Sequence, residues 1–138
     1  MNQEIVTILS STPSPKQLAQ SIDSLRRFDE SELFDTLFCL GTRPQGNGLP
    51  VAYAAFALQA LNPKCTITPI QALKAMLPGW DVSIEEIVFY LMQQFGIEAM
   101  RSAKHEIERT SQLAEIEKKR LETIRYWGSI WLTKGHAP

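Results

Sequence analysis

Four residues in this chain are of the kinds that hold zinc: Cys39, Cys65, His105 and His136. A structural zinc site draws four nitrogen or sulfur ligands from closely spaced pairs. These four stand far apart, with neither a CxxC nor an HExxH spacing among them, so the spacing predicts no metal site and no cofactor. Cys39, between Phe38 and Leu40, reads as a small core residue. Met1 is followed by Asn2, Gln3 and Glu4 rather than by a basic and then an apolar stretch. With no secretory signal, both thiols are expected to be reduced and the protein cytoplasmic. Catalytic signatures are equally sparse. No nucleophile elbow is present, and the adjacent Glu85 and Glu86 follow Ser83 in what reads as the first turn of a helix, where carboxylates complement the dipole. No catalytic residue is assigned, and the chain is expected to be a non-enzyme.

Anion chemistry is the next possibility. Gly46-Asn47-Gly48 precedes a helix start and has Arg43 nearby. A phosphate cradle would add a lysine and a preceding strand. Neither is found, so the segment reads as an interhelical loop. Residues 83–109 have the outline of a helix-turn-helix around Phe95-Gly96, with Arg101, Lys104 and Arg109 offered to a nucleic-acid groove. Glu98, Glu106 and Glu108 are interleaved with them and would offset much of the attraction to phosphate. A nucleic-acid-binding regulator is therefore the alternative expectation, not the first.

The stronger signal is aromatic. Tyr126, Trp127, Ile130, Trp131 and Leu132 crowd the end of a highly charged helical stretch. Trp127 and Trp131, four apart, share one helix face. Tryptophan and tyrosine are favoured interface anchors, and they serve equally well to pin a helix end to its own core.

The elements that must position these residues are announced by caps. Ser14-Pro15-Lys16-Gln17, Thr68-Pro69-Ile70-Gln71 and Ser83-Ile84-Glu85-Glu86 each have the form of a capping box. Apolar residues at helical spacing follow: Leu18, Ile22, Leu25 and Phe28 after the first, and Ile87, Val88, Tyr90, Leu91 and Phe95 after the third. Asp29 with Glu32 recaps a helix through Leu33 to Leu40, with Gly41 as its expected left-handed terminator. Residues 51–61 are apolar on nearly every side, which predicts the buried central helix. Residues 1–9 are read as a short helix.

From Ile97 to about Leu132 there is no proline, and Gly128 is the only glycine. A continuous helix of that length spans ~54 Å, against ~37 Å for a globule of this size. It must overhang, break near Thr110-Ser111 and fold back, or lie against another chain. Its charges between Glu98 and Arg125, six acidic and seven basic, are mixed in sign and suit a solvated surface. The simplest way to cover Leu121, Ile124, Trp127, Ile130 and Trp131 on an overhanging helix is a second copy of the chain.

Composition agrees with this outline and narrows it. The 138 residues carry 14 Lys+Arg against 15 Asp+Glu, a formal net charge of -1, with 44% hydrophobic and 21% charged residues. Such usage excludes wholesale disorder, and near-neutrality removes the global footprint of a dedicated nucleic-acid binder. The longest apolar run is about half the ~20 residues a membrane span needs. The expectation is thus a single all-α domain of about six helices: a core over 1–96, and a long charged C-terminal helix with a short tail over 97–138 of the same domain. It is expected to act as a protein–protein interaction module (an adaptor, assembly factor or regulator), homodimeric through the long helix. A weaker alternative is a small-ligand or pigment pocket beside helix 51–61, with Tyr53 and Gln59 supplying polar contacts.

Overall fold

Residues 1–46 and 48–136 are described by a computed structural model. Among them are eight α-helices and no strand: α1 (Gln3–Ser10), α2 (Leu18–Leu25), α3 (Glu30–Gly41), α4 (Val51–Leu61), α5 (Pro69–Met76), α6 (Glu85–Phe95), α7 (Ile97–Thr110) and α8 (Glu115–Thr133). The all-α expectation holds, with more and shorter helices than the expected six. Helices α1 to α4 pack as one group, α5 to α8 as another, and the two meet where α4 lies on α6.

The caps divide into those that form and those that do not. At α5, Thr68 Oγ1 accepts the Gln71 N–H at 3.2 Å and Gln71 Oε1 accepts the Thr68 N–H at 2.9 Å, a complete box. Ser14 instead leads into a 3-10 turn over Pro15–Gln17, and its hydroxyl bonds the Gln17 side chain. Ser83 makes no box with Glu86. Its N–H and hydroxyl both go to Asp81 Oδ1, at 2.9 and 2.7 Å, so it closes a local Asx turn and α6 begins one residue later than the box would have it. Gly41 also differs from expectation. It is the last residue of α3, buried and without a positive φ, and its value is closeness: a Cβ there would lie 2.7 Å from Ile87 Cδ1 and 3.4 Å from Ala55.

The centre of the core is α6 rather than α4. Six consecutive residues, Ile87 to Met92, are buried because α4, α7 and α8 all pack on α6. Helix α4 buries Val51, Ala54, Ala55, Ala57 and Leu58, but leaves Phe56 half exposed on its outer side. All-round apolarity in α4 therefore marks one buried face and one open apolar face.

The helix that starts at Ile97 takes the second of the three courses open to it, breaking near Thr110-Ser111 and folding back. It ends at Thr110, runs extended through Ser111 and Ala114, and restarts at Glu115. Thr110 Oγ1 donates back to the Glu106 carbonyl at 2.7 Å, and Glu117 Oε1 accepts the Ala114 N–H at 2.9 Å, so each side of the break is satisfied locally. The energetic reason lies beyond the corner. Folding back buries Leu121, Ile124 and Trp131 in the core, at roughly 1.5–3 kcal/mol for each large apolar side chain. That outweighs the few helical hydrogen bonds given up at the corner, each about 1 kcal/mol net.

Candidate functional site

Three of the five residues expected at an interface are inside the chain's own core: Leu121, Ile124 and Trp131. The overhang that made them candidates is absent, because α8 lies along α6. Trp131 packs tilted against Phe89 at 5.2 Å between ring centroids, and the His136 ring stacks over it at 3.6 Å. Its Nε1 is buried with no acceptor among the described residues. Trp127 and Ile130 are only half buried. Trp127 Nε1 donates to the Val82 carbonyl at 2.8 Å, and its ring meets Phe89 edge-on at 6.3 Å.

What α8 leaves outside forms a pattern. At 3.6 residues per turn, Ile116, Thr123, Trp127 and Ile130 line one flank beside the buried face, with Tyr126 one step farther out. Ile116 is 53% exposed and Tyr126 52%, and Val82, in the loop before α6, is 40% exposed and shares a surface hollow with Ile116. Sequence reasoning placed Trp127 and Ile130 here but missed Ile116 and Val82. Neither lies in an aromatic cluster, and Val82 joins the flank only through the tertiary contact with Trp127.

The residues of the nucleic-acid reading are brought to α7, but each is matched by acid. Arg101 pairs with Glu98 at 3.3 Å and Arg109 with Glu106 at 2.7 Å. Lys104, its side chain only 16% exposed, bridges Glu108 at 2.9 Å and Glu122 of α8 at 3.2 Å. Burial pulls the Lys104 pKa down, but the hydrogen bonds its ammonium donates to the two carboxylates outweigh it and hold the group above its usual range. A single residue, Gly96 at φ 81°, joins α6 to α7, where a helix-turn-helix uses three or four. The outline seen in sequence is therefore a sharp corner at Gly96, with Arg101 and Arg109 paired within α7 and Lys104 tying α7 to α8.

The glycine loop presents Gly46 and Gly48 at positive φ, with open space around both; Asn47 lies outside the described residues. Arg43 turns back to donate to Cys39 Sγ at 3.5 Å. Cys39 is half buried on the wall of a groove between α3 and α5, not in the core as expected. Cys65 is also half buried, and burial pushes its thiol pKa up. Among the described residues, no three of the His, Cys, Asp and Glu side chains gather as metal ligands, and no helix is long and apolar enough to cross a membrane.

The open face of α4 is a second feature. With α2 it walls a groove of about 610 Å³. Leu18 and Ile22 of α2 face Tyr53 and Phe56 of α4 across it, and Glu86, from the first turn of α6, reaches its lining. Tyr53 stands where the pocket expectation placed it, whereas Gln59 does not line the groove. Asp23 and Arg26 pair with each other on the rim at 3.2 Å. Among the described residues Glu86 makes no ion pair, and burial is the main cause that raises its pKa, with Glu85 adding to it against the effect of its own backbone N–H. Compared with known protein families, curated proteins and solved structures, the chain matches none.

Proposed function

We propose that this protein is a non-enzymatic protein–protein interaction module and that the outer flank of α8 is its contact face, taken up by a second copy of the chain. The observation that supports this reading is the row Ile116, Thr123, Trp127 and Ile130 with Val82 beside it, apolar or small throughout and open to solvent along one side. Ile116 to Ile130 is ~21 Å of helix at 1.5 Å per residue. Around a two-fold axis through Thr123, two antiparallel copies of α8 set Ile116 against Ile130 and Lys119 against Trp127. Both pairings occur twice, as an isologous interface requires. The first buries aliphatic surface, and the second lays a lysine over an indole, a favourable cation–π arrangement. Thr123, on the axis, is small enough for close approach.

The axis makes the test direct. Thr123→Cys, in a Cys39→Ser/Cys65→Ser background, is expected to form a disulfide-linked dimer under mild oxidation, because a residue on a two-fold axis meets its own copy. Ile116→Glu is expected to turn a sedimenting dimer into a folded monomer. A wild-type chain that sediments as a monomer at every concentration, or a Thr123→Cys variant that never crosslinks, would overturn the self-association reading.

A further inference from the structure

We propose that the groove between α2 and α4 is a binding site for a small organic cation, an apolar or aromatic body bearing a protonated amine. The groove stands apart from the flank of α8, and the inference does not rest on the self-association reading. Its volume, about 610 Å³, falls inside the ~300–1,000 Å³ range of small-molecule sites and is far too small for a folded partner.

Its chemistry is specific. Leu18 and Ile22 supply an aliphatic wall, and Tyr53 and Phe56 place two aromatic rings on the opposite side. Phe56 is 50% exposed there; half a phenyl ring left in water inside a concavity is apolar surface that a ligand would cover. Electrostatics choose the ligand's sign. The charged residues of the lining are Asp23, Arg26 and Glu86. Asp23 and Arg26 neutralise each other at 3.2 Å, which leaves one uncompensated negative charge. That charge is Glu86, half withdrawn from water and, among the described residues, without an ion-pair partner. A half-buried carboxylate beside aromatic rings is the combination that recognises ammonium groups, through a charge-assisted hydrogen bond and the negative faces of the rings. An anionic ligand would meet Glu86 without a free counter-charge, and a neutral one would leave the carboxylate desolvated and unpaired.

Calorimetric titration of the full chain with phenethylammonium, 2-phenylethanol and 3-phenylpropanoate separates the contributions of charge and shape. The amine is expected to bind saturably and at least about tenfold more tightly than the alcohol, the gain of one charge-assisted bond, with no measurable binding of the carboxylate. Glu86→Gln should bring the amine down to the affinity of the alcohol and leave the alcohol unchanged, and Phe56→Ala should weaken both. Circular dichroism of each variant establishes that it is folded. Equal affinities for amine and alcohol, an amine preference that survives Glu86→Gln, or no saturable binding of the amine would each overturn the proposal.

Discussion

Arg120 of α8 donates from Nη1 to the carbonyl of Leu77 at 2.7 Å, across forty-three residues of chain. Its Nε donates to the Trp80 carbonyl at 3.0 Å. Leu77 caps the C-terminus of α5 and Trp80 lies in the turn before α6. One guanidinium thus satisfies the carbonyl of the α5 cap and one in the turn that follows, and fixes where α8 lies after the chain folds back. Charge-assisted bonds of this kind contribute ~1.5–3 kcal/mol each. Arg120→Ala, which removes both bonds, is expected to lower the unfolding free energy by ~3 kcal/mol or more in urea titration. Arg120→Lys should fall between the two, because an ammonium lacks the fork that reaches both carbonyls.

The two C-terminal tryptophans are expected to separate under mutation. Trp131 is buried against Phe89, so Trp131→Ala should destabilise by ~3–5 kcal/mol, as large aromatic truncations in cores do. Trp127, half buried at the edge of the same cluster, should lose roughly half of that on truncation, since only part of its surface leaves water. Ile116→Glu, compared at concentrations where both chains are monomeric, should change stability by no more than ~0.5 kcal/mol, as surface substitutions do. Chemical denaturation of the three variants gives the ranking; a Trp127 variant as unstable as the Trp131 variant would place Trp127 in the core and off the flank.

These contrasts mark what periodicity reveals and where it fails. Helix class and most helix positions follow from local signals, because caps, prolines and apolar stripes act over three or four residues. The break at 111–114 had only a faint local signal at Thr110-Ser111, since its cause is nonlocal: Leu121, Ile124 and Trp131 gain burial on α6 only if the chain turns. The open side of α4 was hidden by its own composition. Phe56 and Leu58 look alike in sequence, yet one is half exposed and the other fully buried. Glu86 read as a capping residue; its place in the groove depends on α4 lying across the first turn of α6. The groove was therefore half legible, through Tyr53, and the carboxylate that gives it a sign was not.

Duplex DNA is expected to bind weakly, without sequence preference, and to be released by moderate salt. Arg101 and Arg109 are each held by a carboxylate one turn away on α7, and Lys104 by two. Any phosphate contact must first displace those partners. In fluorescence anisotropy, Arg101→Ala should leave the residual affinity within about twofold. Tight, sequence-dependent binding at physiological salt, abolished by Arg101→Ala or Lys104→Ala, would restore the nucleic-acid reading.

Glu86 links the groove to stability through pH. Burial raises its folded-state pKa above the usual carboxylate value, with Glu85 on the same turn adding to the rise. The other ionisable groups lining its groove are Asp23, Arg26 and Tyr53. Asp23 and Arg26 neutralise each other. At neutral pH the carboxylate is charged in both folded and unfolded chains, and the folded chain bears the desolvation. As pH falls through the raised pKa the folded state takes up its proton first. The penalty shrinks there, and it vanishes below the unfolded value of roughly 4. Glu86→Gln should therefore unfold at a higher temperature than the wild type at pH 7. That advantage should diminish as the pH falls through the raised pKa and disappear below about pH 4. A carboxylate that destabilises the free protein is the pattern of a group kept for a ligand, so an amine that occupies the groove should reverse the order at pH 7. Thermal melts with and without phenethylammonium check both halves: the wild type should gain more melting temperature from the ligand than the variant does, and a ligand-free variant less stable than wild type at pH 7 would mean that Glu86 is stabilising where it stands.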